Sequence, residues 1–319
     1  MRAWRVHELG EPDDVLTLED GVPEPEPAPD EVAVEVDAAA LNFSDVLLCR
    51  GRYREKPPLP FVPGFEVAGR VAGTDRRVAG LCRFPAGGLA ERTVLAAPLP
   101  VPDTMSATTA AAMLVTYLTS HLALHRRAGL RAGETVLVHA GAGGVGSAAI
   151  QLAKAAGARV VATAGGPEKV ALCRHLGADV AIDYRTEDFV APVKDLTGGR
   201  GADVVVDPVG GETFDRSRRA VAFEGRIVVA GFGGGKPAEL PTNHALVKNY
   251  TVLGLNLGLY RTRAPWVLTE AHAALAELYA RGAVAPLVSE VLAMDEVPDG
   301  LRRLHARGTV GKLVVSVTS

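Results

Sequence analysis

The sequence predicts an α/β protein: a doubly wound parallel sheet in the second half of the chain, with a smaller β-rich domain before it. Three observations predict this. Residues 134–158, ETVLVHAGAGGVGSAAIQLAKAAGA, read as strand, glycine turn and helix. Strand and helix signals then alternate as far as Val229, the pattern of a parallel sheet with crossover helices. Before them come several short apolar runs punctuated by Gly and Pro, the pattern of a small β domain.

Length and composition frame the reading. At 319 residues the chain suggests two domains. Its 48% apolar and 22% charged residues are those of a globular protein. A net charge of −3 without a Lys/Arg block argues against nucleic acid as partner. No apolar run reads as a membrane span and no signal-peptide core stands at the N-terminus, so a cytoplasmic location is expected. The three cysteines, Cys49, Cys82 and Cys173, are far apart and read as small buried residues, not as a metal or disulfide framework. His121 and His125, four apart, read as a helix-end pair favoured by the helix dipole.

Taken in order, residues 1–9 alternate as an edge strand. Residues 22–30 hold four prolines and three acids and form a stiff connection. Residues 31–36, EVAVEV, make a half-buried strand. Asn42-Phe43-Ser44-Asp45 starts a short helix with Ser44 as a possible cap, and Gly51 ends it. Residues 67–71, 77–80 and 89–94 are further short strands. Residues 106–121 are alanine-rich and helical. Strands at 135–138, 159–163, 180–182, 204–206 and 226–229 alternate with helices at 167–176, 187–196 and 214–220. Thr251–Leu255 is a last apolar strand of that sheet. Helices at 265–281 and 296–305 and a strand at 313–317 form a tail that returns to complete the first domain. The expected division is 1–118 with 258–319 for the first domain and 119–257 for the second.

Gly141-Ala142-Gly143-Gly144-Val145-Gly146 fits G-x-G-x-x-G. In the strand–turn–helix context this is a dinucleotide site. Gly141 allows the tight turn, Gly143 lets the backbone approach a pyrophosphate, and Gly146 lets helix and strand pack closely. The helix start offers free N–H groups to the phosphates. NAD-binding folds usually place an acid at the end of the next strand to hold the ribose 2′-hydroxyl. Here that end reads Thr163-Ala164-Gly165-Gly166, followed by Lys169. Small residues and a cation favour the 2′-phosphate of NADPH, although Lys169 also reads as an ordinary solvated lysine. Ligands bind outside the carboxyl ends of such strands, which selects 163–166, 183–185, 207–210 (with Val209) and 231–235 as one rim.

The order of elements resembles the medium-chain dehydrogenase/reductase superfamily, specifically its zinc-free quinone oxidoreductase, zeta-crystallin-like branch. The resemblance spans essentially the whole length. It rests on Ala40-Leu41-Asn42-Phe43-Ser44-Asp45, Pro63-Gly64-Phe65-Glu66-Val67-Ala68-Gly69, the block Leu137–Gly157, Leu176-Gly177-Ala178-Asp179 with Asp183-Tyr184, and Gly311-Lys312-Leu313-Val314. Leu41–Val46 is also similar to the enoyl reductase domains of polyketide synthases. The resemblance implies a GroES-like β-rich catalytic domain joined to a Rossmann domain. The zinc branch's catalytic cysteine falls at Asn42 and the histidine of its G-H-E motif at Phe65. Its four-cysteine loop has no counterpart beyond Cys82. Glu66 alone cannot build a site that needs three protein ligands, so no metal is expected.

By the same resemblance Asn42 lies beside the nicotinamide, and Met113–Thr116 and Phe232-Gly233 line the cofactor. Lys169, Tyr184 and Arg307 approach the 2′-phosphate; Tyr184 alternatively covers the sheet end, and Arg307 caps the last helix. The implied reaction is hydride transfer from NADPH to a quinone or an α,β-unsaturated carbonyl. Asn42 and Tyr53 are candidate donors to the acceptor oxygen, and Tyr53 is also a candidate proton donor, or simply lines its loop. The alternatives are a 2-enoyl thioester reductase, whose basic entrance would be Arg50, Arg52, Arg54 and Lys56, and a non-catalytic NADPH-binding protein. A homodimer is expected, with Thr251–Leu255 as the candidate edge.

Overall fold

The structure is a computed structural model and describes residues 1–317. The chain forms two compact units: Met1–Val115 with the chain from Pro286 on, and Thr116–Ala285.

The first unit opens with β1 (Ala3–Val6) and β2 (Leu16–Glu19), antiparallel, with the single-turn helix α1 (Pro12–Val15) between them. β3 (Val32–Ala40) follows, then α2 (Phe43–Cys49), β4 (Glu66–Val71), β5 (Arg77–Leu81), β6 (Arg92–Leu95) and β7 (Leu99–Pro100). The alternation in 31–36 survives: Val34 and Val36 are buried in β3, as a period of two requires. The cap of α2 differs from expectation. It is Asn42, not Ser44, and Asp45 reaches back to accept its backbone N–H at 2.8 Å. A carboxylate at the third helical position satisfies an N–H that Ser44, already inside the helix, cannot reach.

The boundary between the units falls within α3 (Ala107–His121), which runs on into a π-helical turn, Leu122–Arg127. Contrary to the sequence reading, Ala107–Arg127 is long and apolar enough to cross a membrane by length and composition. Its apolar window is 72% buried in the protein, which is how the core helix of a globular protein reads.

The second unit continues with β8 (Thr135–Val138), α4 (Gly144–Ala155), β9 (Arg159–Ala164), α5 (Pro167–His175), β10 (Val180–Asp183), α6 (Val190–Leu196), β11 (Ala202–Asp207), α7 (Gly211–Ala220) and β12 (Val221–Val229). It closes with α8 (Thr242–Lys248), β13 (Thr251–Gly254), α9 (Leu257–Arg263) and α10 (Pro265–Ala280). Its six strands run parallel in the order β10-β9-β8-β11-β12-β13. The chain leaves β8 toward one edge and re-enters at β11 to build the other. The switch point, where such sheets bind ligands, therefore lies between β8 and β11. The core is Leu137, Val161, Ile182, Val205, Phe214 and Ile227 with their neighbours.

The tail supplies β14 (Val288–Leu292), α11 (Val297–His305) and β15 (Lys312–Ser316) to the first unit. β15 inserts between β14 and β3. Its Leu313 and Val315 share a core with Val34, Val36 and Leu41. The expected return at residue 258 is too early, because the second unit extends to Ala285. Gln151 of α4 explains it: its side-chain amide donates to the Ala285 carbonyl at 3.1 Å and accepts the Ala285 N–H at 2.7 Å.

Candidate functional site

In the second unit the glycine turn follows β8 directly. The left-handed residue there is Ala140, with φ 52°, not Gly141 as the motif suggests. Gly141 is needed for room, since a Cβ on it would stand 2.8 Å from Cys173 Sγ. Gly146 is tighter still: a Cβ there would stand 2.1 Å from the Ala140 carbonyl oxygen, so the helix can approach the turn only without a side chain. Gly143 is the N-cap of α4, and the N–H groups of Gly144 and Val145 begin a helix whose first turn has no intrahelical acceptors. Ser120 Oγ holds the other side of this turn by donating to the Val145 carbonyl at 2.9 Å. The result is a floor of backbone N–H groups suited to a phosphate.

Beneath that floor lies a residue the sequence reading missed. His139 is fully buried between β9 and α7. Ser217 Oγ donates to the Thr213 carbonyl at 2.7 Å, so it accepts from His139 Nε2 at 2.8 Å. His139 Nδ1 is then the acceptor for Thr163 Oγ1–H at 2.9 Å. Burial pushes the imidazole pKa down to about 4, which keeps it neutral. Thr163, a cofactor-binding candidate, thus turns its hydroxyl inward to His139, leaving its backbone at the rim.

The rim assembles as the strand ends predict. At β11, Asp207 Oδ1 accepts from the N–H groups of Val209 (2.8 Å) and Gly210 (2.9 Å). Gly233 and Gly234 donate to the carbonyls of Pro208 and Val209, both at 2.9 Å, so Val209, Phe232 and Gly233 come together. At β9, Tyr184 stands over Gly165: a Cβ on Gly165 would meet Tyr184 Oη at 2.8 Å. Lys169 lies in the first turn of α5, and burial and then the charge of Arg185 hold its pKa below the usual lysine range. His121 and His125, by contrast, are no dipole-favoured cations. Their rings are 4.7 Å apart, and burial pushes His121 down to about 4.

The first unit holds a different constellation. Lys312 Nζ, on β15, donates to the Leu41 carbonyl at 2.7 Å, to Asn42 Oδ1 at 2.7 Å and to Glu66 Oε1 at 2.8 Å. Asn42 Nδ2 donates to Glu66 Oε1 at 2.8 Å and to the Ala40 carbonyl at 3.1 Å. Glu66 Oε2 accepts the Val115 N–H at 2.5 Å. An ammonium can only donate and a carboxylate only accept, so the Asn42 amide has one permitted orientation. Both of its amide hydrogens are committed. Asp45 completes the group by accepting from Asn42 N and Gly64 N. Burial lifts its pKa to about 7, against the pull of those N–H groups and of Lys312.

This donor set does not fit a catalytic zinc. The Glu66 carboxylate is already neutralised by Lys312, and Asn42 and Phe65 offer neither thiolate nor imidazole. Among the described residues no three His, Cys, Asp or Glu converge elsewhere. Nearby, Tyr53 packs edge-on against Phe65 at 4.9 Å, and Phe65 against Phe84 at 5.0 Å. The basic stretch is mostly occupied locally: Arg50 pairs with Glu11, Arg54 faces Glu55 and Lys56 donates to the Gly51 carbonyl.

Comparison with known proteins agrees with both units. The alcohol dehydrogenase GroES-like domain matches residues 28–95 and the zinc-binding dehydrogenase domain residues 144–273. Quinone oxidoreductase-like protein 2 of Mus musculus is 37% identical over 99% of this chain and 92% of that protein. The chain belongs to the zinc-free quinone oxidoreductase branch of the medium-chain dehydrogenase/reductase superfamily. The quinone oxidoreductase of Thermus thermophilus, solved also in complex with NADPH, superposes with a TM-score of 0.87 at 39% identity, covering 99% of this chain and 100% of that one. A fungal highly reducing polyketide synthase is 32% identical over 93% of this chain, which matches 12% of that much larger protein.

Of the candidates, Asn42, Tyr53 and Arg307 belong to the first unit. Arg307 stands just past α11 with φ 57°. Thr116 is the first residue of the second unit, which carries all the others. The sequence reading missed His139 and Lys312 as a partner of Asn42. The first stands next to the glycine motif and the second in the Gly311-Lys312 ending, so their positions were visible and their partners were not.

Proposed function

We propose that this protein reduces quinones or α,β-unsaturated carbonyls at the expense of NADPH. The observation that carries the reading is the glycine floor of Gly141–Gly146 beside a β9 end that has no acid. When bound, NADPH supplies the hydride. Gly143, Gly144, Val145 and Gly146 hold the pyrophosphate, with Thr163, Gly165, Lys169, Tyr184 and Arg307 toward the adenosine end. Val209, Phe232, Gly233 and Thr116 border the remainder of the cofactor. A quinone oxidoreductase of the same fold, solved with NADPH, supports this choice of cofactor.

In this reading Asn42 positions the nicotinamide and does not stabilise charge on the acceptor, because its amide hydrogens are spent on Glu66 and Ala40. Tyr53 or water then meets the developing negative charge and returns a proton. Tyr53 packs with Phe65 and Phe84 against a core cluster of the first unit, which fixes the place of its ring. The likeness to a polyketide synthase segment favours a second reading, a 2-enoyl thioester as acceptor. The local pairing of Arg50, Arg54 and Lys56 weighs against it.

Following the absorbance of NADPH with a naphthoquinone, a simple enone and crotonyl-CoA tests both. Turnover of the first two supports the main reading, turnover of crotonyl-CoA alone supports the second, and tight NADPH binding without any turnover overturns both. The protein further acts as a homodimer in this reading. β13 is one of the two edges of the six-stranded sheet, and Phe223, Leu246 and Val247 of the same unit are exposed. Light scattering at micromolar concentration checks it, and a monomer mass sinks it.

A further inference from the structure

The end of β9 carries more than the sequence motif accounts for. β10 runs beside β9 in parallel register, Asp183 opposite Ala164, and Tyr184 N donates to the Ala164 carbonyl at 3.1 Å. The chain therefore leaves β10 directly alongside Gly165 and Gly166. Arg185 N donates to Asp183 Oδ1 at 3.0 Å, which turns the Arg185 side chain back over those glycines. A Cβ built on Gly165 would stand 2.9 Å from Arg185 Nε, and one on Gly166 would stand 3.4 Å from its Nη1. The guanidinium therefore lies against the backbone of Gly165 and Gly166.

Two further observations bear on this arginine. Arg216, Arg218 and Arg226 of the same unit pair with Asp188, Asp215 and Glu134, and Arg159 and Arg174 donate to backbone carbonyls. Arg185 is exposed and, among the described residues, makes no ion pair. Asp183, two residues before it, is occupied by the N–H groups of Gly166 and Arg185. Arg185 also stands close enough to Lys169 for its charge to disfavour the lysine's. Two cations and a phenol hydroxyl over a glycine floor form an arrangement that an anion with two charges would relieve.

We propose that Arg185 is the residue that reads the adenosine 2′-phosphate and sets the preference for NADPH over NADH. The inference rests on the NADPH reading given above. Arg185 offers a fork of donors that matches two phosphate oxygens. It offers little to the 2′-hydroxyl of NADH, a single neutral group. Lys169 and Tyr184 bind the same phosphate, and Arg185 supplies the discrimination.

The test is titration of the whole protein with NADPH, NADH and 2′,5′-ADP, for the wild type and for Arg185→Gln and Arg185→Lys. Loss of a charge-assisted contact weakens NADPH and 2′,5′-ADP about 10- to 100-fold in Arg185→Gln. NADH is expected to change by less than roughly twofold, and Arg185→Lys to recover part of the loss. An unchanged melting temperature is expected, because the side chain is exposed. If Arg185→Gln weakens NADPH and NADH equally, or neither, the proposal is overturned while the cofactor reading stands. If the wild type itself shows no preference for NADPH, the cofactor reading falls first and takes this one with it.

Discussion

The two units bury polar groups by opposite strategies. The first encloses charge: Asp45, Glu66 and Lys312 are all buried, tied together through Asn42. The second encloses a neutral relay, Thr163–His139–Ser217, beside Asp207, a buried carboxylate held by backbone N–H groups and not by a lysine. A buried charge is tolerable only while its partner is present, and losing one partner strands the other. A neutral relay loses a hydrogen bond at a time. The charged cluster of the first unit is thus intolerant of losing a member, and the relay of the second is forgiving. This fits their expected duties of fixing one carboxamide and supporting a backbone floor.

The largest break in the comparison is Lys312→Met. It leaves Glu66 without its counterion and is expected to cost about 3–5 kcal/mol. The loss should fall on the first unit. The chain's two tryptophans are divided between the units, Trp4 buried in the first and Trp266 exposed on α10. Urea titration in a Trp266→Phe background therefore reads the first unit through Trp4. Adding Glu66→Gln should return part of the stability. No recovery would mean that packing of the lysine stem, not charge, holds the site.

Next comes pH. Asp45 is raised from 3.8 to about 7 by burial. Between those values the folded form binds more protons than the unfolded one, so this contribution falls as pH rises. His139 is lowered from 6.5 to about 4, again by burial. Across that window the unfolded form binds more protons, so its contribution rises with pH, on the order of 3 kcal/mol in all. His121 and the hydrogen-bonded Glu134 and Asp179 act in the same sense as His139. Unfolding followed from pH 4 to 7 should give opposing slopes, the first unit's removed by Asp45→Asn and the second's flattened by His139→Gln. Parallel slopes in the two units would erase the distinction.

Thr163→Val is the milder test of the neutral relay. It leaves His139 Nδ1 without a donor and should cost about 1–3 kcal/mol in the second unit only, with NADPH affinity weakened as the β9 end loosens. A smaller stability effect still is expected of Tyr53→Phe, whose ring contact with Phe65 is kept. Its kcat should fall for enones more than for quinones, whose reduced anion water can protonate. An equal fall for both would remove Tyr53 from the proton's path.

The sequence made some of this legible and hid the rest for physical reasons. The six parallel strands, the glycine turn and the rim at 163–166, 183–185, 207–210 and 231–235 all follow from local periodicity and strand ends. Tyr184 falls on that rim by its place in the sequence, and Lys169 just beyond it. His139 could not be placed, because a histidine after a strand looks the same whether it meets solvent or Thr163 and Ser217. Lys312 reads as an ordinary lysine until β15 is seen beside β3, since Asn42 and Glu66 lie 270 and 246 residues away. The same distance problem moved 258–285 into the wrong unit, because contacts such as those of Gln151 with Ala285 and of Arg126 with Tyr260 are not visible in the sequence.

The placement of β15 has a consequence for how the protein is made. The second unit is one continuous stretch and can fold as it leaves the ribosome, domain by domain. The first cannot. Its sheet waits for a strand synthesised after the whole nucleotide unit, and until then Glu66 has no lysine to neutralise it. A nascent chain halted short of residue 312 carries a finished nucleotide-binding half and an unfinished partner. Until β15 is added, the edge of β3 that it pairs with stays open.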